Sequence, residues 1–170
     1  MSKKTGEYQH LEHEFPPVFD KNSRILILGS FPSMKSREQQ FYYGHPQNRF
    51  WKILSTLMET DIPTDTDGRR SFLLAHGIAL WDVIDSCEII GSSDSSIRNV
   101  QVTDLRRILE ACEIRKIYVN GKTAGRLFDK YQKNTYGRES ICLPSTSPAN
   151  AAYSLERLIR DWSCIMDELK

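Results

Sequence analysis

The sequence predicts a single α/β domain built on a short, mostly parallel central sheet of four strands, flanked by helices in three layers. Three observations predict it. Apolar runs with the length of buried strands lie at residues 24–28, 78–84, 116–119 and 139–143. Segments with helical spacing of apolar residues alternate with these runs. The length of 170 residues favours one domain with a core of ordinary size.

The predicted helices follow the strands in chain order. In each of them apolar residues recur every three or four positions, as they do on the buried face of a helix. Gly77 closes the second helix, at a position where glycine is common because it tolerates a left-handed backbone. The helices cover residues 49–59, 69–76, 103–112, 122–131 and 151–169.

Residues 1–22 are predicted to form an irregular N-terminal arm in front of the domain at residues 23–170. The arm is polar and ends in the apolar segment 15–19, which is expected to pack on the domain. His10 and His13 have a loose metal-ligand spacing, but they lie in this polar segment, so a metal site is not expected there.

Composition excludes several classes of protein. Twenty-three basic and 22 acidic residues give a net charge of +1, which neither requires nor excludes nucleic acid. No run approaches 18 apolar residues and no signal peptide is visible, so we expect a cytoplasmic protein with no membrane span.

The four cysteines are widely separated, which predicts reduced thiols and neither a metal nor an iron–sulfur cofactor. They are Cys87, Cys112, Cys142 and Cys164.

Two loops after predicted strands carry the candidate chemistry. The first loop, residues 29–48, combines several aromatic side chains with His45 and Asn48. Because ligands bind at the carboxyl ends of parallel strands, this loop lies where such a fold acts. Aromatic faces beside amides suit a flat heteroaromatic ligand such as a nucleobase. The structural alternatives are a loop folded over the core, and an Asn48 that only caps the next helix.

The second loop, residues 144–150, offers small hydroxyl groups and backbone N–H groups before the last helix. Such groups hold phosphate. The structural alternative is a Ser/Pro loop that caps that helix. No Walker loop, nucleophile elbow or zinc-protease motif is present.

The stretch Tyr43-Gly-His-Pro-Gln-Asn-Arg-Phe-Trp51, which follows Gly29-Ser-Phe-Pro32, resembles the uracil-DNA glycosylase superfamily. It is most like the hypoxanthine-DNA glycosylase branch, with similarity to the mismatch-specific uracil/thymine branch, and covers residues 24–169. The resemblance implies a cofactor-free, monomeric and monofunctional DNA glycosylase. The implied partner is double-stranded DNA with a deaminated base, hypoxanthine ahead of uracil or xanthine.

The resemblance also implies roles for residues. Phe31 stands where the mismatch-specific branch has an asparagine that orients water, so Asn48 is implied as the catalytic residue in its place. Tyr43 is implied to stack on the extruded base. The implied base pocket consists of Gly29, Ser30, Phe31, Pro32, Tyr43, His45 and Asn120. The implied DNA-binding residues are Ser33, Lys122, Ser145, Thr146, Ser147, Pro148, Ala149 and Asn150, of which 148–150 form the wedge.

Two other functions are compatible with these residues. A non-catalytic nucleic-acid-binding module would explain Phe31 as a sign of lost catalysis. A nucleotide or nucleoside hydrolase could use a similar α/β scaffold.

Overall fold

The computed structural model describes residues 6–91 and 93–169. Two sheets are built from its strands. The strands are β1 (Gln9–Glu12), β2 (Ile25–Gly29), β3 (Ile78–Asp82), β4 (Ile84–Ile89), β5 (Arg98–Val102), β6 (Lys116–Asn120) and β7 (Ser140–Leu143). The helices are α1 (Met34–Gln39), α2 (Phe50–Met58), α3 (Thr66–Ala75), α4 (Arg106–Leu109), α5 (Lys122–Tyr131), α6 (Lys133–Tyr136), α7 (Leu155–Trp162) and α8 (Met166–Leu169).

The central sheet has four strands in the order β3-β2-β6-β7, and every neighbouring pair is parallel. Helices pack against it, among them α3 on β3 and α5 on β6 and β7. Every residue of β2 and of β3 is buried, as expected for strands covered on both faces. The predicted three-layer α/β fold with a parallel four-stranded sheet is therefore confirmed.

The second sheet is antiparallel, in the order β1-β4-β5, and the sequence did not predict it. The prediction of an irregular N-terminal arm was wrong at Gln9–Glu12, because these residues form strand β1, which pairs with β4. This strand is mostly exposed and polar, so it lacks the apolar alternation that marks a strand in sequence. Residues 1–5 lie outside the described residues. The apolar end of the arm packs as expected, because Phe15 and Val18 are buried in the core.

Three further predictions needed correction. The predicted strand 78–84 divides at Val83, where the chain leaves the parallel sheet and enters the second one. The predicted helix 103–112 shortens to Arg106–Leu109, and Thr103 instead donates its hydroxyl to the carbonyls of Asp82 and Val83. The last helix begins at Leu155, capped by Ser154, and a 3-10 turn at Ser163–Ile165 separates α7 from α8.

Three central strands end at one edge of the parallel sheet, in Gly29, Asp82 and Asn120. Gly29 and Asp82 are direct neighbours in the register of β2 and β3. Both loops leave the sheet at this edge, which is where open α/β sheets bind their ligands.

Candidate active site

A cleft of about 680 Å³ opens at the carboxyl edge of the parallel sheet, between the first and second loops. It brings together 14 of the residues predicted for the site. They are Gly29, Ser30, Phe31, Pro32, Ser33, Tyr43, His45, Asn48, Asn120, Ser145, Thr146, Ser147, Pro148 and Ala149. Lys122 and Asn150 do not line it. Lys122 is an exposed side chain at the first position of α5.

A chain of hydrogen bonds joins the two loops to the sheet. Thr146 donates its hydroxyl to Oδ1 of Asn48 over 2.8 Å, and the backbone N–H of Phe50 donates to the same oxygen over 2.9 Å. Asn120 accepts the Thr146 N–H at Oδ1 and donates from Nδ2 to the Thr146 hydroxyl, each over 3.1 Å. Thr146 is 1% exposed. It therefore connects the loops, and the DNA-binding role predicted for its side chain does not fit this buried position.

This network decides which atoms of the predicted residues remain available. An amide oxygen has two lone pairs, and both of those on Asn48 Oδ1 have donors. Because a donor faces Oδ1 on each side, the amide orientation is fixed, and Nδ2 is the atom left for a ligand. Among the described residues, Asn48 Nδ2 has no hydrogen-bond partner. Asn120, predicted to contact the base, uses both amide atoms on Thr146.

Arg49 holds the second loop through its carbonyl groups. Its guanidinium donates to the carbonyls of Ser147 at 2.9 Å and Asn150 at 3.0 Å, and also to that of Tyr153. Its backbone N–H donates to the Thr146 carbonyl. Two adjacent residues thus have complementary functions: Asn48, at the end of the first loop, lines the cleft, and Arg49, at the start of α2, fixes the opposite wall.

Tyr43 is held in place by the two aromatic residues that follow Arg49, which are Phe50 and Trp51. Its ring stacks on Phe50 with centroids 4.1 Å apart, and the Trp51 indole N–H donates to its carbonyl over 3.2 Å. These contacts support a left-handed backbone at Tyr43, where φ is 52°. Burial of the hydroxyl raises the pKa of Tyr43, and the nearby Asp82 charge adds to this shift. The ring therefore lines the cleft as a neutral, rigid aromatic surface.

The second loop is stabilised by short-range hydrogen bonds. Ser145 Oγ accepts the Ser147 N–H, and Ser147 Oγ accepts the Ala149 N–H. Asn150, predicted as part of the wedge, donates its side chain to the Ser145 carbonyl over 3.0 Å and so braces the loop. Ala149 is exposed. The loop thus presents a small apolar tip on a braced backbone.

In the first loop, Ser33 and His45 line the cleft, and each also accepts a hydrogen bond from a nearby backbone N–H group. Ser33 caps α1 by accepting the Ser36 N–H over 3.2 Å. His45 accepts the Gln47 N–H at Nδ1 and so shapes its turn. Lys35 and Arg37 of α1 also line the cleft and give this wall positive charge. Neither cation was predicted from the sequence to belong to the site.

Asp82 also lines the cleft, although it was not predicted from the sequence as a site residue. Its carboxylate is bound by Nε2 of His13 at 2.7 Å, and the two side chains are 4% and 2% exposed. Burial alone would lower the pKa of His13, but the hydrogen bond and the charge of Asp82 together raise it above its ordinary value. The pair therefore favours an imidazolium beside a carboxylate. His13 comes from the arm for which no role was predicted.

Among residues 6–91 and 93–169, no three His, Cys, Asp or Glu side chains lie close enough together to hold a metal ion. Within the same residues no helix has the length and apolar character needed to cross a bilayer.

Comparison with known proteins gives the family. A sequence model described as the "Uracil DNA glycosylase superfamily" matches residues 16–164. The chain belongs to the uracil DNA glycosylase superfamily. The match confirms the resemblance carried by the two loop motifs.

Individual relatives in the superfamily cover most of the chain. A protein of Methanosarcina acetivorans named hypoxanthine DNA glycosylase is 35% identical over 149 residues, which span 86% of this chain and 93% of that protein. A protein of the same name from Methanosarcina barkeri is 34% identical over 140 residues, 80% of this chain and 86% of that one. A solution NMR structure of a Methanosarcina acetivorans protein assigned to the uracil DNA glycosylases has a TM-score of 0.76 at 33% identity, and covers 91% of this chain and 96% of that one.

This superfamily member has no acid or amide at position 31. Phe31 lines the cleft and packs edge-on against His13, with ring centroids 6.2 Å apart. It cannot orient a water molecule. The amide and carboxylate side chains that line the described cleft are those of Asn48, Asn120, Asp82 and Asp94.

Proposed function

We propose that this protein is a monofunctional DNA glycosylase that hydrolyses the N-glycosidic bond of a deaminated base in double-stranded DNA. Hypoxanthine is the first candidate base, and uracil and xanthine follow. The observation that carries the proposal is the linked pair of loops: Asn48 and Tyr43 line one cleft, and Thr146 ties Asn48 to the second loop. The names of the two Methanosarcina relatives support the choice of hypoxanthine.

The shape and charge of the cleft suit an extruded nucleotide. Enzymes that act on a base take it out of the duplex into a pocket, where it stacks on aromatic side chains. Tyr43 supplies the aromatic surface, with its ring already fixed by Phe50. Lys35 and Arg37 at the rim favour a polyanion, and the Ser147 region offers backbone and hydroxyl groups to phosphate. The tip at Ala149 can enter the gap that the base leaves.

The reaction needs a positioned water and a stabilised sugar cation. The water oxygen bonds to C1′, the bond from C1′ to the base breaks, and its electron pair leaves with the base. The proton lost by the water ends on the released base. Because the transition state resembles an oxocarbenium ion, fixed dipoles in a dry cleft stabilise it. We assign Asn48 to the water, through Nδ2 as donor, since its Oδ1 is already occupied.

The experiment uses end-labelled duplexes that each carry one deoxyinosine, deoxyuridine or deoxyxanthosine, with an undamaged duplex as control. Excess protein is incubated with each duplex, and half of every sample is then treated with alkali. We expect strand breaks at the lesion only after alkali, fastest for deoxyinosine. Breaks without alkali would contradict the monofunctional assignment. Tight binding without breaks would favour the binding module, and base release from free nucleosides would favour the nucleoside hydrolase.

A further inference from the structure

Met34, the first residue of α1, is the most exposed large apolar side chain among the described residues, with 54% of its surface accessible. Two others are exposed, Tyr8 and Ile141. The Tyr8 ring lies against the guanidinium of Arg98 at 3.5 Å, and Ile141 belongs to the edge strand β7. Of the three, only Met34 lines the cleft. Single exposed apolar residues are ordinary on a protein surface, so the informative feature of Met34 is its place at the cleft.

The helix that carries Met34 is fixed to the wall of the cleft. The buried Ser36 accepts the Gly44 N–H at Oγ over 3.0 Å. Gln39 donates its side-chain amide to the Gly44 carbonyl over 3.2 Å. Because Gly44 directly follows Tyr43, α1 is held beside the ring that is expected to stack on the extruded base. Met34 is therefore an exposed side chain on a braced backbone.

Met34 and Ala149 lie on the two loops between which the cleft opens. Ala149 is the exposed tip of the second loop, and the side chain of Asn150 next to it is bound to the Ser145 carbonyl. An extruded base leaves a gap in the stack that a single methyl group fills only in part. Methionine is long, flexible and polarisable, and it is one of the side chains that proteins insert between base steps. Met34 thus offers more apolar surface to an opened duplex than Ala149 does.

The charge beside Met34 favours DNA as the molecule that covers it. Lys35 and Arg37 line the same wall of the cleft. The Lys35 ammonium lies 3.5 Å from the carboxylate of Glu38, and both side chains are more than half exposed. Exposed ion pairs of this kind contribute little, so a phosphate can take the place of Glu38. The rim therefore presents an apolar side chain and a cation next to each other, which suits a base and its backbone phosphate.

We propose that Met34 is a second wedge, which packs against the base pair beside the extruded nucleotide from the side of the cleft opposite Ala149. The assignment rests on the proposed glycosylase function and extends it to a contact outside the base pocket. Met34 then acts on the extrusion of the nucleotide and not on the cleavage of the bond. Its contribution is large where extrusion must break a base pair, and small where the lesion is already unpaired.

The test measures single-turnover cleavage by excess protein on two duplexes, with deoxyinosine opposite deoxycytidine or opposite an abasic analogue. Met34→Ala should slow cleavage of the paired lesion roughly 5- to 30-fold, the range for burial of much of a methionine side chain. The unpaired lesion should lose a smaller factor. Met34→Leu keeps the apolar surface and should restore the rate, whereas Met34→Gln keeps only the length and should resemble Met34→Ala. Ile141→Ala, which removes an exposed apolar side chain far from the cleft lining, is the matched control.

A second readout does not require cleavage. The fluorescent base 2-aminopurine, which brightens when it is unstacked, replaces the base on the 5′ or the 3′ side of the lesion. Fluorescence is recorded after rapid mixing, before base release. The native protein and Ile141→Ala should give the same rise, and Met34→Ala a smaller one at the flank that Met34 contacts. The midpoint of unfolding of Met34→Ala should equal the native value, because the side chain is mostly exposed.

The outcomes separate the two proposals. A native protein that cleaves none of the lesion duplexes overturns the glycosylase function, and the second wedge falls with it. If the native protein cleaves, but Met34→Ala slows the paired and the unpaired lesion by the same factor, the wedge alone is overturned. The same follows if Met34→Ala gives the native fluorescence at both flanks. A loss that Met34→Leu does not restore would also overturn the wedge, since apolar contact would not be its cause.

Discussion

Thr146 donates its hydroxyl hydrogen to Oδ1 of Asn48 over 2.8 Å, although the two residues are 98 positions apart in the sequence. This bond connects the residue assigned to the water with the loop assigned to the DNA backbone. Because Asn120 holds Thr146 from the other side, the position of the Asn48 amide depends on both the sheet and the second loop. A substrate that moves the second loop would therefore also move Asn48.

Replacing Asn48 tests its catalytic role against its structural one. Asn48→Ala removes Nδ2 and also the acceptor for the Phe50 N–H, so it should lose about 1 kcal/mol of stability. Its single-turnover rate on deoxyinosine DNA should fall by about 10²–10³, as for removal of one transition-state dipole. Binding of uncleaved DNA should change far less, since the interaction is made mainly in the transition state. The midpoint of unfolding and the rate are measured on one sample.

The matched variant is Asn48→Asp, which keeps acceptors for Phe50 and Thr146 and replaces only the NH2 group. If Nδ2 holds the water as a donor, Asn48→Asp should be stable and as slow as Asn48→Ala. A rate equal to or above the native one would show that the water needs an acceptor at this position. A stable Asn48→Ala protein with the native rate would remove Asn48 from the mechanism altogether.

Tyr43 is expected to bind the extruded base through its ring. Tyr43→Ala should weaken binding of lesion DNA by roughly 1–3 kcal/mol, the usual contribution of stacking on one base. Tyr43→Phe keeps the ring and its contact with Phe50, so its loss should be smaller. Binding is measured by titration at fixed salt. Equal losses in both variants would mean that the hydroxyl group, and not the ring, makes the contact.

The loops could be located from the sequence because the central strands are short apolar runs. The two loops follow Ile25–Gly29 and Ser140–Leu143, which end at the same edge of the parallel sheet, and the cleft unites most of the residues predicted in them. The Asn48-Arg49 pair could be recognised as a motif, but its function could not be derived. Only the fold shows that Arg49 binds carbonyl groups of the second loop.

The pair of Asp82 and His13 could not be predicted, for two physical reasons. Asp82 is followed by Val83 and Ile84, so in sequence it lies inside the apolar run 78–84, which predicts a single strand. Its partner lies 69 residues earlier, in a segment whose strand is exposed and polar. Pairing of β1 with β4 creates the second sheet, and no local pattern in either strand specifies that pairing.

Ser147 is proposed to contact a DNA phosphate. Ser147→Ala should weaken the affinity for every duplex by the same factor and leave the ratio of hypoxanthine to uracil cleavage unchanged, because phosphate contacts position DNA without specifying the base. Ser163→Ala, an exposed serine in the turn between α7 and α8, is the control for loss of a hydroxyl. Affinities are compared on lesion-bearing and undamaged duplexes. A changed substrate ratio would place Ser147 within the base pocket.

The ion pair of His13 and Asp82 predicts a pH dependence of stability. The pKa of His13 is raised in the folded protein, because the hydrogen bond and charge of Asp82 outweigh burial. Folding then favours the protonated imidazole. The stabilisation is fully present below the unfolded pKa of about 6.5 and is lost as the pH rises through the folded value.

This contribution is measured as the difference in the free energy of unfolding between the native protein and His13→Gln, by urea titration between about pH 5 and pH 9. Taking the difference cancels the titration of groups common to both proteins. The native protein should lose its advantage as the pH rises above about 6.5. His10→Gln, which removes an exposed imidazole from the same segment, is the control. A difference that stays constant or grows with pH would mean that His13 is neutral in the folded protein, and that Asp82 is held by an uncharged donor.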